Sequence, residues 1–305
     1  VGNMSSVTSI DSYAFEGCSS LVRVGNMSNV ESIDSNGFVN CSALEHVDEL
    51  DKITSIGQYA FMGCTALKSI GSLHNLETIG QGAFSGCSAL EHVDDLYSLT
   101  RLEYDVFSHC VSLISVDCSD KLTAIGSSAF FGCKALVSIG DLSNVTSIES
   151  SVFRGCIALK SIGNMPKLES IGMQCFMGCT ALETVGDLSS LKEIPSETFD
   201  GCTSLVSIGD LSNVTIIGSY GFNQCKKLTS IPNLGSLERV DQFAFSGCES
   251  LALLGNLRKL TSFGYSPFVN SPFHNCTNLV LEVLPDSAAE QYAKDYNMQY
   301  TYITE

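Results

Sequence analysis

The chain has 305 residues, of which 44% are hydrophobic and 16% are charged, and its formal net charge is -17 at pH 7. This apolar content excludes a disordered chain, and no apolar run is long enough to span a bilayer. The acidic balance would repel phosphate, so nucleic acid is not an expected partner.

A phenylalanine followed three residues later by a cysteine recurs along the whole chain. Successive Phe-x-x-Cys pairs are 23 residues apart from Phe15 to Phe245, and a twelfth pair, Phe273 and Cys276, follows after 28. A fixed period of this length indicates a solenoid. The sequence therefore predicts twelve mostly 23-residue coils, with five residues inserted within 264–273.

Between the pairs an apolar residue stands at every third position, in the unit F-x-x-C-x-x-L-x-x-I-G-x-L-x-x-L-x-x-I-G-x-x-A. This period fits neither a regular strand nor a helix. It suits a coil whose short sides each point one residue inward. Ile or Val followed by Gly or Asp predicts short strands at Leu-x-x-Ile, paired in parallel with a rise of about 4.8 Å per coil. Glycine before the cysteines predicts tight corners, and the Asp or Asn column represented by Asp141 and Asp210 predicts turns.

The segments TSIGQYAFMGCTALKSI (54–70) and TAIGSSAFFGCKALVSI (123–139) resemble the BspA-like leucine-rich repeat family almost throughout. The resemblance covers residues 1–283 and implies a leucine-rich repeat array with short parallel β-strands. It also implies that 284–305 form a C-terminal α/β cap, with a helix over 287–296 for which Asp286 is a plausible N-cap. The resemblance further implies a microbial surface or secreted protein used for adhesion or host interaction, with no shared catalytic residues to expect.

Twelve of the fourteen cysteines occupy one column of the repeat. Stacked neighbours would have parallel Cβ directions, which disfavours disulfides, so the sequence favours a buried ladder of free thiols. Zinc is disfavoured because no C-x2-C spacing occurs. The pair Cys175 and Cys179 could be a redox site, although a chance exchange of Ala for Cys explains it better.

Two near-identical segments, ALEHVDEL (43–50) and ALEHVDDL (89–96), carry the most distinctive polar side chains. Each holds a His-Asp pair, which suggests a base, but no serine is fixed nearby. The segments lie two coils apart, about 9–10 Å at strand spacing, which is too far to share a metal. The alternatives are a binding face and surface decoration. The candidate binding residues are Glu45, His46, Asp48, Glu91, His92 and Asp94.

The insertion in GYSPFVNSPF (264–273) adds Tyr265 and Phe268 as further candidate binding residues, because inserted loops on solenoids are frequent contact sites. The alternative is a structural adapter before the cap. No phosphate loop, nucleophile elbow or H-E-x-x-H motif occurs. The sequence predicts no catalytic site, no metal site and no cofactor.

The leading functional hypothesis is a monomeric, non-catalytic recognition or adhesion module of a microbial cell-surface or secreted protein. Its partner would be a protein or a glycan, from a host or from extracellular matrix. The alternative is an intracellular protein-interaction scaffold, which the unpaired cysteines would support because free thiols are typical of reducing compartments.

Overall fold

The computed structural model describes residues 4–264 and 271–304. The chain divides into two units, unit 1 over Val1–Leu159 and unit 2 over Lys160–Glu305. Each unit is built from parallel β-coils, and the described residues make about 13 turns. The predicted repeat solenoid is therefore confirmed, whereas the division into an array over 1–283 and a cap over 284–305 stays a prediction.

Each coil of unit 1 contributes short strands to two sheet faces. Face A contains the strands after Cys-x-x-Leu, in sheets ordered β3-β5 and β7-β9-β11, and face B contains sheets β1-β2-β4-β6 and β8-β10-β12. The strands are β1 (Ser9–Ile10), β2 (Ser32–Ile33), β3 (His46–Val47), β4 (Ser55–Ile56), β5 (Ser69–Ile70), β6 (Thr78–Ile79), β7 (His92–Leu96), β8 (Arg101–Leu102), β9 (Ser115–Cys118), β10 (Ala124–Ile125), β11 (Ser138–Ile139) and β12 (Ser147–Ile148).

Unit 2 repeats this plan and ends in the cap. Its face A sheets are β13-β15-β17 and β19-β21-β23-β24, and β16-β18-β20-β22 form face B. The elements are β13 (Ser161–Ile162), β14 (Ser170–Ile171), β15 (Thr184–Val185), β16 (Glu193–Ile194), β17 (Ser207–Ile208), β18 (Ile216–Ile217), β19 (Ser230–Ile231), β20 (Arg239–Val240), β21 (Leu253–Leu254), β22 (Ser262–Phe263), β23 (Val280–Val283), α1 (Ala288–Asp295) and β24 (Gln299–Tyr302).

The Phe-x-x-Cys corners form the third side of each coil and supply much of its core. Phe38 is fully buried and stacks on Phe15 and Phe61, with ring centroids 4.9 and 5.3 Å apart. Its N–H donates to the Ala60 carbonyl of the next coil at 2.7 Å. The glycine before the cysteine takes the left-handed conformation, as at Gly132 with φ +71°. A residue with a Cβ is disfavoured there, so the predicted tight corner is confirmed.

The cysteine column is a ladder of free thiols. The Cys64 thiol donates to the Phe38 carbonyl at 3.1 Å, and the Cys87 thiol donates to the Phe61 carbonyl at 3.1 Å, so each links its coil to the one before. Cys175 and Cys179 are likewise fully buried. From Cys41 to Cys248 the column therefore fills the core and weakly bonds its backbone, as the spacing predicts, whereas Cys18 of the first coil is exposed.

The Asp and Asn column builds turns, as predicted. Asp141 Oδ1 accepts from the N–H of Ser143 at 2.8 Å, and Asp210 Oδ1 accepts from the N–H of Ser212 at 2.8 Å. These bonds close the chain between face A and face B. Turn geometry thus accounts for the acidic column.

The helix begins one residue later than predicted, and its N-cap is Ser287 rather than Asp286. An N-cap needs extended backbone, which Ser287 has, and its Oγ accepts from the Glu290 N–H at 3.2 Å. Asp286 is instead left-handed (φ +58°), and its N–H donates to Glu290 Oε2 at 2.8 Å. Lys294 and the Tyr302 hydroxyl also bond this carboxylate and lower the pKa of Glu290 to about 2.

Candidate binding surface on face A of unit 1

Alternation along the face A strands decides which side chains reach the surface. Val47 and Val93 are fully buried, so the histidines before them and the aspartates after them point outward. The strands pair in register, with His46 opposite Ser69 and His92 opposite Ser115. The structure therefore places the predicted polar residues on one face of unit 1.

The two histidines are held in the same way. His46 Nδ1 lies 2.9 Å from Ser69 Oγ, and His92 Nδ1 lies 2.9 Å from Ser115 Oγ. Each bond joins a coil to the next one along the array and orients the ring. The structure brings each imidazole to a serine of the following coil.

Two of the three acidic residues of the first segment, 43–50, are paired with cations from adjacent coils, and the third, Glu49, is exposed. Asp48 Oδ2 accepts from Arg23 at 2.8 Å, and Glu45 Oε2 lies 3.3 Å from Lys68 Nζ. All four side chains are largely solvent-exposed, so each pair contributes only about 0–1 kcal/mol to stability. Their main effect is to neutralise the surface of this segment.

The second segment, 89–96, presents the same side chains without such partners. Glu91, His92 and Asp94 are exposed. Within residues 4–264 and 271–304, neither Glu91 nor Asp94 forms an ion pair. The two segments therefore differ in charge although their sequences are nearly the same.

Sequence reasoning missed several residues beside the second segment. Ile114 and Val137 lie outward on the two following coils, and Asp117 follows the buried Val116. The available signal was the altered spacing of this coil, in which the inward Cys118 comes two residues after Val116. The corresponding Leu96 comes three residues after Val93.

The candidates Tyr265 and Phe268 lie outside the described residues. Among the residues that are described, no group of three or more His, Cys, Asp or Glu side chains could hold a metal ion. In the same part of the chain, no helix has the length and hydropathy needed to cross a membrane.

Parallel coils with a fixed 23-residue period and an inward Leu/Ile/Phe/Cys core define a leucine-rich repeat protein. The family model described as BspA type Leucine rich repeat region (6 copies) matches residues 3–114, 54–183, 100–208 and 169–290. The chain belongs to this family. No curated protein matches it.

Two solved structures show the same fold. A leucine-rich repeat protein from Bacteroides ovatus is 26% identical, with a TM-score of 0.66 over 98% of this chain and 88% of that one. A leucine rich cell surface protein from Faecalibacterium prausnitzii is 23% identical, with a TM-score of 0.52 over 96% of this chain and 94% of that one. Repeats of this family are generally non-catalytic binding modules.

Proposed function

We propose that the chain is a monomeric, non-catalytic recognition module of a microbial cell-surface or secreted protein. Face A of unit 1 would bind a protein or glycan partner from a host or from extracellular matrix. The observation that carries this proposal is the outward, in-register column of polar side chains on β3, β5, β7 and β9, in which His46 and His92 are each held by a serine of the next coil. Pre-oriented side chains lose less conformational entropy when they bind.

A surface or secreted location is supported by the family and by one structural relative, which is described as a cell surface protein. The free thiols do not favour the alternative of an intracellular scaffold. The described corner thiols from Cys41 to Cys248 are fully buried, and Cys87 among them donates to backbone, so an oxidising compartment would not readily reach them.

The test is a binding screen of the purified chain against extracellular-matrix proteins and a glycan array at physiological salt. The probe variant changes Glu45, His46, Glu91 and His92 together to alanine. We expect at least one saturable partner, bound about tenfold more weakly by this variant, which corresponds to about 1.4 kcal/mol.

The matched control changes two carboxylates and two neutral polar residues on face B of the same unit, all exposed: Glu31→Ala, Thr54→Ala, Glu77→Ala and Thr100→Ala. It should bind like the parent chain. A partner that is lost equally with both variants contradicts a site on face A, and the absence of any partner contradicts the recognition function.

A further inference from the structure

The sheet formed by β7, β9 and β11 differs from the rest of face A in unit 1 because it has a β-bulge. His92 pairs with Ser115 and Val93 with Val116, but the next pair is Leu96 with Cys118. Asp94 and Asp95 together therefore stand opposite Asp117. Asp95 is left-handed, with φ +66°, as is Glu49 at the equivalent position of the first segment, with φ +58°.

Apolar side chains lie exposed beside this bulge. Ile114 is 38% exposed and Val137 is 42% exposed, and the Val137 N–H donates to the Ile114 carbonyl at 2.9 Å, so the two are neighbours on adjacent coils. Ile114 in turn donates to the Glu91 carbonyl at 2.8 Å. Tyr97, 45% exposed, follows the bulge. Adjacent exposed apolar residues mark an interaction surface more often than isolated ones do.

The charge of this surface is of one sign. Within the described part of the chain, Asp94, Asp95 and Asp117 form no ion pair, and Asp95 Oδ2 accepts from Ser72 Oγ at 2.7 Å. The pKa of the Tyr97 phenol is raised. The largest cause is partial loss of hydration, and the carboxylates of Asp95, Asp117 and Asp94 add to it. The carboxylates therefore act together on one small area.

We propose that this bulge surface, defined by Asp94, Asp95, Tyr97, Ile114, Asp117 and Val137, docks a cationic segment of a partner protein that alternates basic and apolar side chains. Basic groups would pair with the carboxylates, while apolar ones would cover Ile114 and Val137. The inference rests on the proposed recognition function and assigns it a partner class and a place on face A.

Charge complementarity selects this occupant over others. Anionic polymers, including nucleic acids and acidic glycans, would be repelled by the three unpaired aspartates. A neutral glycan would satisfy the carboxylates through its hydroxyls but would leave Ile114 and Val137 uncovered. The first segment is a poorer surface for a cation, because Arg23 and Lys68 already neutralise Asp48 and Glu45.

The experiment measures binding of a fluorescein-labelled octapeptide of alternating lysine and leucine to the full chain by fluorescence anisotropy, at about 0.15 M salt to screen distant charges. Two octapeptides of the same design serve for comparison, one alternating glutamate and leucine and the other lysine and serine. We expect saturable binding of the lysine–leucine peptide alone. The double variant Asp94→Asn, Asp117→Asn should weaken it about fivefold, and so should Ile114→Ser with Val137→Ser.

The matched control is Glu31→Gln with Glu77→Gln, which removes the same formal charge from exposed positions on face B and should weaken binding less than about twofold. Equal weakening by this control, or equal binding of the lysine–serine peptide, would show general attraction to an acidic chain and overturn the inference. Absence of binding by the lysine–leucine peptide would overturn it as well. Each of these outcomes leaves the proposed recognition function standing, since that function depends on the separate screen.

Discussion

The segments 43–50 and 89–96 differ only at Glu49 and Asp95, yet they present different surfaces. Their valines are equally buried and their histidines make the same bond to a serine 23 residues further on. In the first segment, however, cations from the adjacent coils pair with Asp48 and Glu45. In the second, the adjacent coil contributes Asp117 and Ile114.

The reason is that a solenoid separates local sequence from local environment. A residue's lateral neighbours lie one repeat away along the chain, so a motif carries its own backbone geometry but not its electrostatic surroundings. Lys68 illustrates this: it lies on the coil between the two segments, and its ammonium group is placed beside Glu45 at 3.3 Å. Nearly identical motifs in a repeat protein can therefore present different surfaces.

The largest expected effect tests whether solvent reaches the core beneath the second segment. Burial, and secondarily the Asp117 carboxylate, raise the pKa of the Cys118 thiol to about 12, and burial raises the pKa of Cys133 to about 12. A raised pKa keeps the thiol protonated at pH 8. We expect iodoacetamide to label both about a thousandfold more slowly than a free thiol of ordinary pKa. Mass spectrometry after timed quenching measures this.

The chain unfolded in urea serves as the control, in which both cysteines should react at the ordinary rate. Rapid labelling of Cys118 in the native chain would mean that the bulge opens in solution, and the two segments would then differ in fold as well as in charge.

The next effect concerns the stacked phenylalanines of the Phe-x-x-Cys corners, which should stabilise the coils of the two segments equally. Phe38 and Phe84 are both fully buried between stacked neighbours, so Phe38→Ala and Phe84→Ala should each lower the free energy of unfolding by about 3–5 kcal/mol. Urea denaturation followed by circular dichroism measures this. Val137→Ala, at an exposed position, should change it by less than about 0.5 kcal/mol.

Because the stability of a solenoid sums over neighbouring units, the damage from these substitutions should stay local. The same should hold for Phe153→Ala. Hydrogen exchange should increase in the coils next to the substitution, and a uniform increase along the unit would contradict this expectation.

The fold could be predicted because each of its determinants repeats in the sequence. The stacked phenylalanines, the thiol ladder and the left-handed glycines each occupy one column, so a single coil predicts all of them. The start of α1 was missed by one residue, since Asp286 and Ser287 are both capping residues and only backbone conformation separates them. The pairing of Asp286 N–H with Glu290 depends on that conformation.

The candidate surface could be predicted only in part. Alternation around Val47 and Val93 shows that the flanking histidines and aspartates point outward. Whether a carboxylate is paired depends on the reach of side chains from other coils, such as Arg23 to Asp48 at 2.8 Å, and no repeat pattern encodes this. Ile114 and Val137 directly follow the inward Leu113 and Leu136, so the repeat places them outward, but it does not show that they lie beside unpaired carboxylates of another coil.

A smaller effect is expected from substitutions that make the first segment resemble the second. The double variant Arg23→Gln, Lys68→Gln removes the cations paired with Asp48 and Glu45, so the lysine–leucine peptide should bind about two- to threefold more tightly. The gain is limited because the first segment has one exposed aliphatic neighbour in this column, Val22, whereas the second has both Ile114 and Val137. Lys227→Gln with Lys259→Gln, both exposed in unit 2, changes the net charge equally and should leave affinity unchanged. An equal gain from both variants would attribute the effect to net charge alone.

The smallest effect is a shift in one titration, and it reports on the bulge directly. The Asp95, Asp117 and Asp94 carboxylates disfavour the phenolate of Tyr97 and so help to raise its pKa. Removing one of these charges by Asp117→Asn makes the phenolate less costly and should lower the Tyr97 pKa. An NMR titration of the chain with ¹³Cζ-labelled tyrosine measures the shift, with Tyr97→Phe identifying the signal.

Asp48→Asn removes a paired carboxylate in the first segment and should leave the Tyr97 pKa unchanged. If neither variant moved it, the carboxylates of the bulge would not act on a common area, and the electrostatic difference between the two segments would lose its main support.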